Sequence, residues 1–208
     1  MKNYAGKLLL GSLVLASSLA CGSAVASVVT YEKRTITSNS FSDYKAGWAS
    51  QASAISNGLI NDFSGQMGGN NTYSHLQIDF SIGGSAAGDS ILFELAPDAG
   101  YGGAIYLDNV LLTANHTDLW WGGNWNNLSE ILSANFANAS LGNHVLEAYW
   151  AEGCCNGGQG GRFSVNGQGW QSLSVANLDR LAVPEPGTFA LLGLGLIGLG
   201  ATRRMRLG

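Results

Sequence analysis

Apolar and polar residues alternate through the centre of the chain. In the segment 75–82, one phase of the alternation holds Leu76, Ile78, Phe80 and Ile82. A period of two predicts a strand with one buried face. Similar short segments follow at 91–95, 105–112, 145–150, 163–165 and 170–175, with turns rich in Gly, Asn, Asp and Ser between them. The pattern predicts an all-β domain, either a sandwich or a jelly-roll-like barrel.

One short helix interrupts this pattern. Asn126 or Asn127 is available as its N-cap, and Glu130 falls in its first turn. Four apolar residues recur at helical spacing: Leu128, Ile131, Leu132 and Phe136. The region from Tyr31 to Thr72 has a weaker pattern, which predicts one or two edge strands and a long connection.

The N-terminus has the three parts of a secretory signal peptide. Lys2 and Lys7 begin the chain, an apolar stretch follows over residues 8–20, and Ala24-Val25-Ala26 gives a small-x-small exit. This order predicts cleavage by signal peptidase after Ala26, so that residues 1–26 are the signal peptide.

The C-terminus contains an uncharged apolar and glycine-rich run over residues 189–201, which ends at an arginine cluster. Thirteen residues are short for a bilayer span of about twenty, so length alone leaves a buried core helix open. The absence of a polar face in the run and the basic stop favour a hydrophobic helix in the membrane with a cytoplasmic C-terminus. Glycine at this density is also tolerated in membranes better than in soluble helices.

The body over residues 27–182 is acidic, with five Lys/Arg against thirteen Asp/Glu and a net charge of −8. Such a domain does not attract phosphate backbones, which argues against nucleic-acid binding. The 30 glycines and only 3 prolines of the chain suit a turn-rich extracellular β-domain.

Val183-Pro184-Glu185-Pro186, the apolar run and the terminal arginines together resemble the PEP-CTERM sorting signal over residues 183–208. The resemblance implies recognition by an exosortase, an inner-membrane cysteine transpeptidase-like enzyme, and removal of the tail. It also implies a Gram-negative host that makes extracellular polysaccharide, and a final place at the cell surface or in the matrix. The alternative is an ordinary single-pass membrane anchor.

Cys154 and Cys155 form an adjacent pair in a glycine-rich loop, which resembles the CCXG subgroup of PEP-CTERM proteins. An exported pair is expected to oxidise, and adjacent cysteines can close a vicinal disulfide. Such a ring would stiffen the loop or offer a platform to a sugar; the alternative is a structural or intermolecular disulfide without ligand contact. The spacing suits neither a zinc site nor a redox enzyme.

The segment 98–109 loosely resembles a strand pair of PA14-like sandwich domains, some of which bind glycans through calcium. Asp98 and Asp108 would supply carboxylate oxygens, but the paired-aspartate motif of those lectins is absent, and both residues also suit plain turns. Trp120, Trp121 and Trp125 lie on a Gly/Asn loop, where they either stack on sugars or pack at the end of the sandwich.

The sequence therefore predicts an exported, non-enzymatic surface or matrix protein associated with exopolysaccharide, without cofactor or bound metal. The alternative is a lectin-like, PA14-like carbohydrate-binding module. An exported hydrolase is a third hypothesis with little support, because the chain has no G-x-S-x-G, H-E-x-x-H or P-loop motif.

Overall fold

A computed structural model of the protein describes residues 25–38, 40–52, 54–183 and 195. β-Strands make up most of its regular secondary structure. The strands are β1 Val28–Thr35, β2 Ala54–Leu59, β3 Thr72–Ile82, β4 Ile91–Ala96, β5 Asp98–Ala99, β6 Gly103–Leu107, β7 Val110–Asn115, β8 Leu119–Trp120, β9 Leu132–Phe136, β10 Gly142–Glu152, β11 Gly160–Val165 and β12 Gln168–Ser172. The helices are α1 Tyr44–Ala49 and α2 Val175–Leu178, with 3₁₀ turns at Leu128–Glu130 and Asp179–Ala182.

Two antiparallel sheets pack face to face, which confirms the all-β sandwich. The large sheet has the order β2-β1-β3-β10-β6-β7, the small sheet has the order β12-β11-β4-β9, and β5 pairs with β8 separately. The predicted alternation in β3 points Leu76, Ile78, Phe80 and Ile82 into the core. Phe80 meets Phe93 of the small sheet with ring centroids 5.8 Å apart. The core therefore lies between the sheets.

The outer face of the large sheet is partly covered by α1. Asp43 caps this helix by accepting a hydrogen bond from the backbone N–H of Ala46 at 3.0 Å. Tyr44 and Trp48 then pack on an aromatic cluster that includes Tyr73. The sequence predicted one or two edge strands in this region. β2 is an edge strand, but β1 lies inside the sheet between β2 and β3.

The prediction of a helix near residue 130 was wrong. A 3₁₀ turn occupies Leu128–Glu130, and the residues after Ile131 form β9, which pairs with β4. Leu132 and Ala134 are buried while Ser133 is exposed, so the segment follows a strand period. Apolar residues four positions apart fit both periods, and the unpaired edge of β4 selects the strand.

The sandwich has two distinct ends, named here the upper end and the base. β3 runs from Thr72 at the upper end to Ile82 at the base, a length of roughly 33 Å for its 11 residues. At the base, the backbone N–H of Gly83 donates to the carbonyl oxygen of Leu181 at 2.6 Å. The last described residue of the domain, Val183, thus leaves from the base.

The predicted signal peptide up to residue 24 and the tail after Val183, apart from Gly195, lie outside the described residues. Within the part of the chain that the structure describes, no helix is long and apolar enough to cross a membrane.

Candidate functional site

An open depression of about 770 Å³ lies at the upper end of the sandwich. Its walls are formed by two loops. One follows β10 of the large sheet, and the other follows β4 of the small sheet. Residues from four separate segments line it, among them Asp98, Tyr101, Trp120, Glu152, Cys154 and Cys155. The structure therefore brings together three of the candidates that the sequence singled out separately: Asp98, Trp120 and the cysteine pair.

Asp98 is buried at the side of this depression. Its Oδ2 accepts a hydrogen bond from the backbone N–H of Gly157 at 2.6 Å. Only glycine permits this approach, because a Cβ at position 157 would lie 2.6 Å from the Cγ of Asp98. Burial raises the pKa of Asp98 to about 6; the Gly157 hydrogen bond opposes this, and the neighbouring charges of Glu152 and Asp118 add to it. Asp98 therefore changes charge near pH 6, at a higher pH than an ordinary aspartate.

Glu152 connects two of the loops that form the depression. Its carboxylate is buried and accepts two backbone hydrogen bonds, from Gly100 at 2.6 Å and from Cys154 at 2.8 Å. Because one side chain satisfies donors on both loops, it fixes their separation. The carboxylate of Glu152 thus stabilises the arrangement of the two loops.

Cys154 and Cys155 lie on the rim as exposed free thiols. Cys155 has a φ of +70°, in the left-handed region that few side chains adopt. The hydrogen bond and the charge interaction with Cys155 raise the pKa of the Cys154 thiol. The two side chains are therefore close to each other, and the vicinal disulfide stays a prediction.

Two exposed aromatic side chains line the same depression. Trp120 is 69% exposed, and its backbone N–H donates to the carboxylate of Glu130. Tyr101 is 42% exposed and stacks on Phe41, with ring centroids 4.4 Å apart. Both side chains are thus open to solvent, and the ring of Tyr101 is also supported by Phe41.

Trp121 and Trp125 are not part of this depression. They lie against each other, with ring centroids 4.9 Å apart, and both approach Gly160 of β11. The guanidinium of Arg162 sits 4.3 Å from the ring centroid of Trp125 and pairs with Glu94 at 2.7 Å. These contacts agree with the packing alternative for these two tryptophans.

Asp108 lies towards the base, away from Asp98. Its Oδ2 is 2.7 Å from Nδ1 of His144, and its Oδ1 accepts a hydrogen bond from the backbone N–H of Val145 at 2.9 Å. With a φ of +49°, it forms the turn between β6 and β7. The structure thus separates the two aspartates. Over residues 25–38, 40–52 and 54–183, no three His, Cys, Asp or Glu side chains converge on a possible metal position.

Sequence reasoning did not single out the other residues of the depression, among them Asn71, Tyr101, Asp118 and Glu152. Glu152 follows the last apolar residue of β10 directly and precedes Gly153, so a buried acidic residue at a strand end was a usable signal. Asn71 and Asp118 lie in connections whose paths the sequence pattern does not predict.

The fold resembles that of PA14 domains. The PA14 domain of the antifreeze protein MpAFP is 13% identical and has a TM-score of 0.50, over 74% of this chain and 90% of that chain. The PA14 sugar-binding domain from an RTX adhesin is 11% identical and has a TM-score of 0.49, over 73% of this chain and 97% of that chain. At these identities the likeness is one of fold alone. No curated protein matches the sequence.

Residues 182–204 match the PEP-CTERM protein-sorting motif, which confirms the resemblance seen in the sequence. The chain therefore carries the signal of an exported protein that its C-terminal segment anchors until an exosortase processes it. Of the sorting residues, Val183 is described, and its carbonyl oxygen accepts a hydrogen bond from Oγ of Ser85 at 2.8 Å. Pro184, Glu185 and Pro186 lie outside the described residues.

Proposed function

We propose that this protein is a non-enzymatic surface or matrix protein whose upper depression binds extracellular polysaccharide after exosortase sorting. The observation that carries the proposal is the pair of solvent-exposed rings, Trp120 and Tyr101, beside polar side chains in one depression. Aromatic faces with a few fixed polar groups are typical of small-ligand sites, and sugar rings offer both apolar faces and hydroxyl groups.

The position of the depression supports this proposal. The tail leaves the domain at the base, next to Gly83, whereas the depression begins beside Asn71, at the other end of β3. The two are separated by roughly 33 Å, the length of that strand. The C-terminus of the processed chain therefore lies at the opposite end of the domain from the depression, so attachment through that end leaves the depression open to polymer.

The charge of the depression narrows the ligand class. Asp98, Asp118 and Glu152 line it, and none of its described lining residues is a lysine or arginine. A polyanion such as a uronic acid polymer would meet like charges there. We therefore propose a neutral or amine-bearing polysaccharide.

The hydrogen bonds of the carboxylates support a binding role over a hydrolytic one. Both oxygens of Glu152 accept backbone hydrogen bonds, and one oxygen of Asp98 does the same. Hydrolysis of a glycoside needs two carboxyl groups that are available to the substrate, one of them as an acid. Here the carboxylates of Asp98 and Glu152 instead accept hydrogen bonds from the backbone of the loops.

Binding of the processed chain to neutral, amine-bearing and uronic acid oligosaccharides tests the proposal. Trp120→Ala and Tyr101→Ala should each weaken binding about tenfold, the loss expected for one aromatic contact of about 1.4 kcal/mol. Trp170→Ala is the matched control, because Trp170 is 44% exposed but stacks on Arg162, outside the depression. If both variants bind as tightly as the unaltered chain, the depression is not the site. If the unaltered chain releases sugar from an oligosaccharide and Asp98→Asn does not, the non-enzymatic role is contradicted.

A further inference from the structure

Ser27 is the first residue after the predicted signal-peptide cleavage site, and it lies at the base of the sandwich. It is only 4% exposed, whereas Val25 is 53% exposed and Ala26 is also exposed. The predicted scissile bond therefore falls at the point where the chain enters the folded domain. Strand β1 begins at the next residue, Val28.

The backbone nitrogen of Ser27 already has a carboxylate partner. It donates to Oδ1 of Asp179 at 2.7 Å, across 152 positions of sequence. Asp179 begins the 3₁₀ turn Asp179–Ala182, which leads directly to the sorting motif. The two processed ends of the chain thus meet in one hydrogen bond.

The residues after Asp179 are held tightly at the base. Gly83 donates its backbone N–H to the carbonyl oxygen of Leu181, and Ser85 donates its hydroxyl to the carbonyl oxygen of Val183. Position 83 must be glycine for this packing, because a Cβ there would lie 2.5 Å from the carbonyl oxygen of Val183. The domain therefore holds the chain up to Val183, immediately before Pro184.

We propose that signal-peptide cleavage creates an ion pair between the new α-ammonium group of Ser27 and the carboxylate of Asp179. Water adds across the peptide bond between Ala26 and Ser27; the released peptide keeps the carboxylate, and Ser27 keeps an amine that takes up a proton. The neutral amide hydrogen bond becomes a charge-assisted one, which is stronger. N-terminal processing thereby stabilises the segment that precedes the sorting motif.

The charged groups on neighbouring elements are few. Asp79 of β3 lies opposite Val28, Arg180 follows Asp179 in the 3₁₀ turn, and Asp62 bridges to Ser174 just before α2. An α-amino group ordinarily has a pKa of about 7.7–8.0, and the adjacent carboxylate raises that pKa in the folded chain. The stabilisation is therefore complete below pH ~7.7 and is lost as the pH rises through the higher folded value.

The test uses the full chain from a host strain without exosortase, purified in mild detergent. Its α-amine is labelled with an N-hydroxysuccinimide ester across pH 6–10, and the N-terminal peptide is quantified by mass spectrometry. At pH 8, we expect the Ser27 α-amine to react several-fold more slowly in the unaltered chain than in Asp179→Asn. The ε-amine of Lys33 is the internal control and should react equally in both chains.

A second variant guards against misfolding of Asp179→Asn. Insertion of one alanine between Ala26 and Ser27 keeps Asp179 but moves the ammonium group by one residue. Its α-amine should react as fast as that of Asp179→Asn. Equal reactivity of all three chains would overturn the proposal, and so would an intact mass showing that the mature chain does not begin at Ser27.

Discussion

Asp98 provides a quantitative test of the electrostatics of the depression. Its pKa of about 6 lies well above the ordinary value of 3.8, because the carboxyl group is buried beside Glu152 and Asp118. Between pH 4 and pH 6 the folded chain therefore binds a proton that the unfolded chain releases. For this group, stability falls as the pH rises through that window. A shift of about two pKa units corresponds to about 3 kcal/mol.

Asp98→Asn removes this titration but keeps an amide oxygen that can accept the hydrogen bond from Gly157. We therefore expect the stability of Asp98→Asn relative to the unaltered chain to improve by about 2 kcal/mol between pH 4 and pH 7.5, because the unfolded carboxyl group is already partly protonated at pH 4. His75 acts in the opposite direction, since burial lowers its pKa to about 4. Because both chains contain His75, its contribution cancels in the difference.

Urea unfolding of the processed chains, followed by tryptophan fluorescence from pH 4 to pH 7.5, measures this difference directly. Asp118→Asn keeps the Asp98 carboxyl group but removes one of the charges that raise its pKa. The stability of this variant should therefore fall less steeply than that of the unaltered chain as the pH rises. A difference between Asp98→Asn and the unaltered chain that stays constant over the whole range would refute the reasoning.

Three further changes test other parts of the site. Glu152→Ala leaves two part-buried backbone N–H groups without this acceptor and should cost about 1–3 kcal/mol in urea unfolding, whereas Glu152→Gln keeps one acceptor and should cost about half as much. Gly157→Ala forces its Cβ against Asp98 and should lower both the unfolding midpoint and oligosaccharide affinity, while Gly158→Ala, with open space around its Cβ position, should affect both less. Chain isolated without reductant should be two hydrogens lighter than the reduced chain and monomeric on a non-reducing gel, and Cys154→Ser should abolish the mass difference; a disulfide-linked dimer would instead indicate intermolecular pairing.

The sandwich could be predicted from the local pattern of apolar and polar residues, because a strand with one buried face alternates between them with a period of two. The alternation in β3 identifies the inward-facing residues without reference to any other segment. Two elements escaped this reasoning. β9 has apolar spacing that fits a helix as well, and only its partner β4 decides between them. α1 is six residues long, too short for its period to stand out, and packing against Tyr73 stabilises it.

The depression could be predicted only in pieces. Asp98 and Cys154 were each named as candidates, but they are brought together by the ends of β4 and β10, which the sequence does not align. The tryptophans show a second limit. Trp120 and Trp121 are neighbours in sequence, yet Trp120 lines the depression and Trp121 packs near Gly160. Successive residues of an extended chain point to opposite sides, so one loop supplies two different surfaces.

Fractionation of the native host tests the proposed function most directly. The intact mass and amount of the chain are measured in the inner membrane, the polysaccharide matrix and the medium, for the unaltered chain and for a Trp120→Ala, Tyr101→Ala double variant. We expect the unaltered chain to end near Pro184–Gly187 and to lie in the matrix, and the double variant to be cut equally but released into the medium. An unaltered chain that keeps its tail through Gly208 in the inner membrane, or a double variant retained in the matrix as well as the unaltered chain, would contradict it.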